Sequence, residues 1–527
     1  MPYHYTVATE AHAAQIHALN HATFAGEIPQ HAPTPDGRLV DRFHDENTYL
    51  VALDGATVAG MLALRHARPF SLDAKLPGLD ALLPPERPAV EIRLLAVRPE
   101  RRHGRAFAGL MAYAARWMVR HGFRLALISG TTRQTALYER MGFRPCGPLV
   151  GHDGATYQPM FSTLDDALRA VPSMLAGADR PGPDLSLLPG PVELDPAVAA
   201  ALARPPLSHR GEAFAALHAR IVAGLGRRVG LPQVALMVGP GTLANDVLAA
   251  HLAAWGAPGL VLSNGAFGER LADHARRHGV PHDVVRAEWG ERLPLDAVAD
   301  RLASGDAPAW IWAVHGETST GVLNPLSALV ALARAHSAQL CLDAVSTVGA
   351  VDAGAAMMVT GVSGKALGGV AGLAFVAHGA LPPLARSLPA TFDLASIHAA
   401  AGIPATSSSP LVAALDAALD RADDVRTERL QTQGHRLRQA LAAAGFTVVA
   451  PADAALPTVQ TVALASPDEA WAVGERLERL GILASYRSGY LRARGWLQLC
   501  TMGAQTDAQV TAALEAFCAA VRVGREG

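Results

Sequence analysis

The chain has 527 residues; half are apolar, 17% are charged, and the formal net charge is −2. That balance gives no electrostatic footprint for nucleic acid, and the apolar share is enough for more than one sizeable core. No uninterrupted apolar run reaches the roughly 18 residues of a membrane-spanning helix. The stretch "MPYHYTVATEAHAAQ" has no cationic segment followed by an apolar one. The four cysteines, Cys146, Cys341, Cys500 and Cys518, show neither metal-knuckle nor disulfide-framework spacing. The expectation is a cytoplasmic protein with no metal centre and no nucleic-acid or membrane partner.

Residues 1–165 mix strand and helix patterns. "TYLVAL" and "VAGMLAL" on either side of "DGAT" predict a hairpin, "AVEIRLLAV" a strand, and "AFAGLMAYAARWMVRHG" a helix. Ahead of that helix, Arg101, Gly104 and Ala106 read R-x-x-G-x-A. A turn of this kind aims backbone N–H groups at an anion such as a pyrophosphate; a basic loop with one glycine is the alternative. "TALYERMGFRP" follows. Together these stretches resemble the GNAT acyltransferases over roughly residues 5–150. The resemblance implies a GNAT fold and an acyl donor, acetyl-CoA or another acyl-CoA. It places Leu95 to Val97 along the pantetheine arm, with Arg101, Gly104 and Ala106 at the pyrophosphate. Tyr138 then gives a proton to the leaving thiolate, and Glu91 serves as general base, directly or through water. "DRFHDENTYLVALDG" with "VAGMLALR" is also similar to acyl-homoserine-lactone synthases, which keeps a longer acyl chain or a carrier-protein donor open.

Residues 166–184 end in a Pro-, Gly- and Asp-rich run and read as a linker. From 185 to 527, "VALMVG", "GLVLSNG", "AWIWAVHG", "LCLDAVST" and "AGLAFVA" alternate with helix patterns. That alternation predicts a mostly parallel sheet covered on both faces. From about 410 to 527 the pattern predicts a smaller α/β subdomain.

The chain contains two lysines, Lys75 and Lys365, against 43 arginines. Lys365 sits among small residues in "VSGKALGG". As a surface cation it would be interchangeable with arginine; as an imine-forming amine it would not, because arginine does not give up its proton. "GPGTLAND" puts Gly241 and Thr242 where a strand meets a helix, a place that suits a phosphate. Asp343 ends the apolar strand "LCLDAV", and a carboxylate there can keep a pyridine nitrogen protonated. Phe267 in "SNGAFGER" can stack on a ring or simply fill a core.

These motifs, with "LLPGPVELDPAV", "PPLSHRGEAF", "HGETSTG", "LDAVSTVGA" and "SGKALGG", occur in order over residues 187–375. The segment resembles the class V aminotransferases of fold type I, in the alanine–glyoxylate, serine–glyoxylate and 2-aminoethylphosphonate transaminase group. The resemblance implies pyridoxal 5'-phosphate bound to Lys365, which also moves the α-proton. It pairs Asp343 with the pyridine nitrogen and sets Val345 and Phe267 against the ring. Gly241 and Thr242 hold the phosphate, and Thr318 hydrogen-bonds near the cofactor. It also implies a homodimer, in which a Ser or Thr of "PATSSSP" completes the partner's phosphate site.

Two departures stand out. Gly364 replaces the polar residue usual before the lysine, and Gln498 in "WLQLCTMG" stands at the place of the substrate arginine. An amide cannot make arginine's bidentate clamp on a carboxylate. Arg487, Arg492 or Arg494 could supply that clamp, or be surface charges. The functional expectation is a bifunctional enzyme. It would transfer an amino group between a small amino compound and an oxo acid of the pyruvate or glyoxylate type, and would N-acylate an amine. Two alternatives stay open: a non-catalytic acyl-CoA sensor as first domain, and lyase, decarboxylase or desulfurase chemistry at the lysine.

Overall fold

The computed structural model describes residues 3–28, 30–102, 105–152, 155–174 and 184–526. The chain divides into two compact units. The first takes in the chain up to Leu185, with Ala472–Leu483 and the segment from Asp507 onward; the second is Ser186–Trp471 with Ala484–Thr506.

The first unit is built on a mixed sheet of strands β1 (His4–Val7), β2 (Thr48–Asp54), β3 (Thr57–Arg65), β4 (Ala89–Val97), β5 (Leu125–Thr131), β6 (Arg144–Pro145), β7 (Val150–His152) and β8 (Ala155–Thr163). Their order is β1-β2-β3-β4-β5-β8-β6, with β7 on β8. Strands β2 and β3 form the expected hairpin. Both faces of it are buried, so alternate residues serve two cores. Leu50, Ala52, Leu62 and Leu64 pack with Leu110 and Met111 of helix α3 (Ala106–Arg120). Tyr49, Val51, Met61 and Ala63 pack with Ile16 and Leu19 of helix α1 (Ala13–His21). Two short helices border the central strands: α2 (Ser71–Lys75) packs at the starts of β4 and β5, and α4 (Thr135–Arg140) packs beside β5.

Strands β4 and β5 pair in parallel only over Ala89–Ile92 and Leu125–Ile128. Beyond that point they separate. On the other side of β4 the register to β3 slips between Met61 and Ala63, and Leu94 takes φ +54°. A bulge of this sort bends one strand away from its neighbour, and here it opens a cleft at the middle of the sheet.

The helix Asp507–Glu526 joins this unit although it ends the chain. Its alanine-rich face needs a surface to cover, and Arg522 forks onto Asp165 at 2.8 and 2.7 Å while Glu515 pairs with Arg124. Chain order alone set one boundary, across residues 166–184; spatial packing returns two later segments to the first unit.

The second unit holds a seven-stranded sheet in the order 233–238, 373–378, 358–362, 339–343, 310–314, 259–263, 282–286. All neighbours are parallel except at Leu373–His378, which is antiparallel to both of its own. Ile311 and Ala313 face a core with Phe214 and Ile221 of helix Glu212–Val229. Trp310 and Trp312 face the opposite core with Val247 and Leu271 of helices Gly241–Trp255 and Ala266–Arg277. The expected two-sided cover is therefore present. A separate antiparallel sheet joins 447–448, 459–463 and 496–500.

Gly109, inside α3, marks where β1 lies against that helix: a Cβ there would fall 1.9 Å from the Tyr5 hydroxyl, which donates to the Arg105 carbonyl at 3.1 Å. Gly109→Ala raises helix propensity by about 1 kcal/mol, yet we expect a net loss of about 1–3 kcal/mol from overpacking, measured by calorimetric unfolding.

Candidate active sites

In the second unit the chemistry collects at the C-terminal ends of the parallel strands, where open α/β sheets bind ligands. Asp343 ends its strand buried. Its Oδ2 accepts from Asn245 Nδ2 at 2.9 Å and its Oδ1 from the Val345 N–H at 3.0 Å. Thr360 Oγ1 donates in turn to Asn245 Oδ1 at 2.8 Å, which fixes the amide's orientation. Lys365 follows the strand Met358–Val362. Its Nζ donates to Ser346 Oγ at 3.1 Å and lies 5.2 Å from the centroid of the Phe267 ring. Ser346 is itself hydrogen-bonded to Thr318. Burial holds Lys365 below the ordinary lysine range, and the charge of Asp343 partly opposes that shift.

The backbone comes close around this lysine. A Cβ on Gly190 would lie 3.4 Å from Lys365 Cγ, and one on Gly241 would lie 3.1 Å from both Val345 and Val362. Gly364 has a local reason: a Cβ there would sit 2.5 Å from Ala371 Cα, because the loop folds back through Ser363 Oγ onto the Val370 carbonyl at 2.5 Å. The helix that starts at Gly241 has Pro240 as N-cap with no side-chain cap, and Thr242 is exposed beside it. Its first N–H groups are thus available to an anion.

Sequence reading missed a buried glutamate. Glu317 accepts from the N–H groups of Phe267 (3.3 Å), Gly268 (2.9 Å) and Ser319 (3.1 Å), and from the Ser319 hydroxyl. It thereby anchors the start of the helix carrying Phe267 and Arg270. Burial pushes its own pKa up, against those hydrogen bonds. Arg270 stacks on Phe267 at 4.8 Å, and it is the cation among the charges acting most on Lys365. Tyr490, 6.5 Å from the Phe267 ring, and Cys500 complete the surround; burial pushes each up to about 12. The signals for these residues lay inside quoted motifs, Glu317 in "HGETSTG", Ser346 in "LDAVSTVGA" and Arg270 in "NGAFGER".

Gln498 is fully buried and works as a brace. Its Nε2 donates to the carbonyls of Thr318 (2.5 Å) and Ser319 (3.3 Å) and to Thr461 Oγ1 (2.9 Å). Arg487 and Arg492 are exposed and lie over Trp471 at 4.9 Å each, and Arg494 lies over Trp289 at 3.7 Å. None of the three appears among the charges that act most on Lys365.

In the first unit the splay of β4 from β5 encloses a cavity of about 520 Å³. Leu95, Val97, Tyr138 and Glu91 line it, as do Lys75 and Arg93. Burial keeps the Tyr138 phenol protonated above its usual range. Arg101 lies away from the cavity wall, paired with Asp54 at 2.6 Å, and Ala106 is buried at the start of α3; Gly104 lies outside the described residues. Arg102, not singled out from sequence, reaches the cavity and pairs with Glu27 at 2.7 Å.

Glu91 is buried, and both of its oxygens are engaged. Oε2 accepts from the Ser71 N–H at 2.7 Å; Oε1 accepts from the Ser71 hydroxyl at 2.6 Å and the Leu72 N–H at 3.1 Å. Through these bonds Glu91 anchors the start of α2. Arg93 forks onto Asp41 at 2.8 and 3.0 Å, and Arg65 pairs with Glu46 at 3.1 Å, both against the Phe43 ring.

Two family models match the chain. The family model "Aminotransferase class I and II" matches residues 231–517, over half of the chain, so the chain belongs to that family. The model "N-acyl amino acid synthase FeeM" matches residues 15–163. Alanine–glyoxylate aminotransferase 1 of Saccharomyces cerevisiae is 32% identical over 205 residues, 36% of this chain and 53% of the yeast protein. 2-Aminoethylphosphonate–pyruvate transaminase of Pseudomonas putida is 32% identical over 243 residues, 42% of this chain and 65% of that protein. The chain therefore spans less than two thirds of either relative. Among solved structures, alanine–glyoxylate aminotransferase from Nostoc sp. superposes with a TM-score of 0.59 at 25% identity, covering 65% of this chain and 96% of that one.

The family's cofactor is pyridoxal 5'-phosphate, and the residues present fit it. Lys365 offers an amine of lowered basicity, Asp343 a buried carboxylate held by two donors, and Gly241 an uncapped helix start that a side chain would crowd. Gln498→Leu would strip the Thr318 and Ser319 carbonyls of their donor. We expect a loss of about 1–3 kcal/mol, read as a lower denaturant midpoint.

Proposed function

We propose that the chain is a bifunctional enzyme, acting as a transaminase at Lys365 and as an N-acyltransferase in the cavity between β4 and β5. The observation that carries the first part is the Lys365 amine, its basicity lowered by burial and its Nζ bonded to Ser346, beside Asp343 hydrogen-bonded by Asn245 and Val345. The bound cofactor would supply an aldehyde and an electron-withdrawing ring. Lys365 would hold that group through its amine and would take and return the proton at the substrate's α-carbon. Asp343 would pair with the ring nitrogen, and Ser346 orients the amine. Gly241 and Thr242 would hold the phosphate, Phe267 and Val345 would border the ring, and Thr318 fixes Ser346.

With Gln498 occupied by carbonyls, Arg270 is the cation this reading assigns to the anionic group of the amino donor. The relatives' names give alanine with glyoxylate and 2-aminoethylphosphonate with pyruvate. A small amino compound of that kind, carrying a carboxylate or phosphonate, with a small oxo acid as acceptor, suits such a site. The reading includes a homodimer completed at "PATSSSP" and a cytoplasmic location. Among the described residues no helix is long and apolar enough to cross a membrane.

The acyl-transfer part rests on the open splay, a cavity large enough for a thioester arm, and the protonated Tyr138 on its wall. An acyl-CoA donor and an amino acid or simple amine as acceptor are the substrates proposed.

The test is a spectral titration of the purified protein with pyridoxal phosphate against alanine, serine, glutamate, β-alanine, taurine and 2-aminoethylphosphonate, each with and without pyruvate or glyoxylate. One donor should convert the cofactor to its amine form, and an oxo acid should reverse it. Absence of that half-reaction with every donor would turn the reading toward lyase chemistry. Lys365→Ala should abolish the conversion while acyl-CoA binding persists. Arg270→Ala should raise KM for the donor about tenfold or more, as expected for loss of a charge-assisted contact, with a smaller effect on kcat. Tyr138→Phe should slow acyl transfer by about 10²-fold with little change in CoA affinity; equal loss of both would make the tyrosine structural.

A further inference from the structure

Amino-group transfer uses one of the chain's two lysines. The other, Lys75, ends α2 on the wall of the acyl-transfer cavity, with its Nζ 5.1 Å from the centroid of the Tyr157 ring. Glu91 anchors the start of that same short helix. The position is built, then, by a buried carboxylate holding the turn that carries the amine.

Lys75 has no counter-ion in contact. Among the described residues every ion pair uses arginine or histidine as its cation, and Lys75 is in none. The carboxylates around it are engaged elsewhere: Glu91 with Ser71 and Leu72, Asp41 with Arg93, and Asp73 with Arg68. Where this chain needs a fixed positive charge it uses arginine, in 43 of 45 cases. A lysine kept at a cavity wall points to what arginine cannot do, which is to give up and take back a proton.

We propose that Lys75 is the proton acceptor of the acyl-transfer reaction, drawing a proton from the ammonium group of the acyl acceptor bound in the cavity. The inference rests on the acyl-transfer reading above. Neutral Lys75 takes one proton from the acceptor ammonium. The freed amine attacks the thioester carbonyl carbon, the C–N bond forms, and the C–S bond breaks. The second nitrogen proton ends on the departing sulfur by way of Tyr138. Lys75 returns its proton to water, so thioester and ammonium give amide, thiol and one released proton.

The charges facing Lys75 are consistent with this role. Burial is the main influence lowering its pKa; Arg93 on β4 and Arg42 ahead of β2 add to it, while Glu91 on β4 opposes it. Tyr157 on β8 presents its ring, and Asp73 on α2 is bound by Arg68. A base works above its own pKa. The rate should therefore climb with pH and level off below the ordinary lysine range.

The experiment uses the full-length holoenzyme and follows thiol release and amide product by mass spectrometry. Donors are acetyl-, decanoyl- and palmitoyl-CoA, and acceptors are the proteinogenic amino acids and 2-aminoethylphosphonate. Lys75→Arg and Lys75→Ala should each lose about 10²–10⁴-fold in kcat, lose the climb with pH, and bind acyl-CoA as the wild type does. Ethylamine should restore part of the lost amide formation on the amino-acid acceptor to Lys75→Ala, but none to Lys75→Arg. Wild-type kcat and pH profile in Lys75→Arg would overturn the proposal and mark Lys75 as a charge only. No thiol release by the wild type with any pair would instead overturn the acyl-transfer reading, and the Lys75 role with it. Reductive ¹³C-methylation gives a readout independent of turnover, since only Lys75, Lys365 and the terminal amine can be labelled. A Lys75 signal titrating at or above the ordinary lysine value would also overturn the proposal.

Discussion

A lysine becomes less basic where water is kept from it, and burial lowers the basicity of Lys365 in this way. Enclosing an amine costs free energy in its charged form, so its neutral form gains. Close-packed backbone helps to enclose Lys365. Gly190, Gly241 and Gly364 stand where a Cβ would press on Lys365, on Val345 and Val362, or on Ala371. Asp343, in the same region, accepts from two donors, one from Asn245 and one from the Val345 backbone.

Each unit also uses a buried glutamate in the same way. Glu317 receives backbone N–H groups from the start of the helix that carries Phe267 and Arg270. Glu91 receives them from the start of the helix that carries Lys75. Unpaired N–H groups at a helix start are costly when buried, and a carboxylate there satisfies several at once while meeting the positive end of the helix. The result is a rigid base for the side chain that meets the ligand.

The sheet elements were legible because they depend on local periodicity. The β2–β3 hairpin, the strand containing Glu91, the helix after it, and the strand–helix alternation of the second unit all follow from patterns within a few residues. The lysine, the strand-end aspartate and the glycine turn were legible for a similar reason: their chemistry is carried by residue type and immediate neighbours. The extra segments of the first unit were not. An amphipathic helix at the chain end shows that it needs a surface, and says nothing about which one.

What the sequence determined by itself is the two sheets, a lysine among small residues in the same segment as a strand-end aspartate, and the strand–turn–helix pattern of the first unit. Tertiary structure alone decided the duties of the polar side chains. Glu91 meets Ser71, 20 positions away, and holds the start of α2. Gln498 donates to the carbonyl of Thr318, 180 positions away. Arg487 and Arg492 lie over Trp471, while Arg270 stacks on Phe267. A buried polar group is committed to whichever partner satisfies it, and only the folded chain brings that partner within hydrogen-bonding distance.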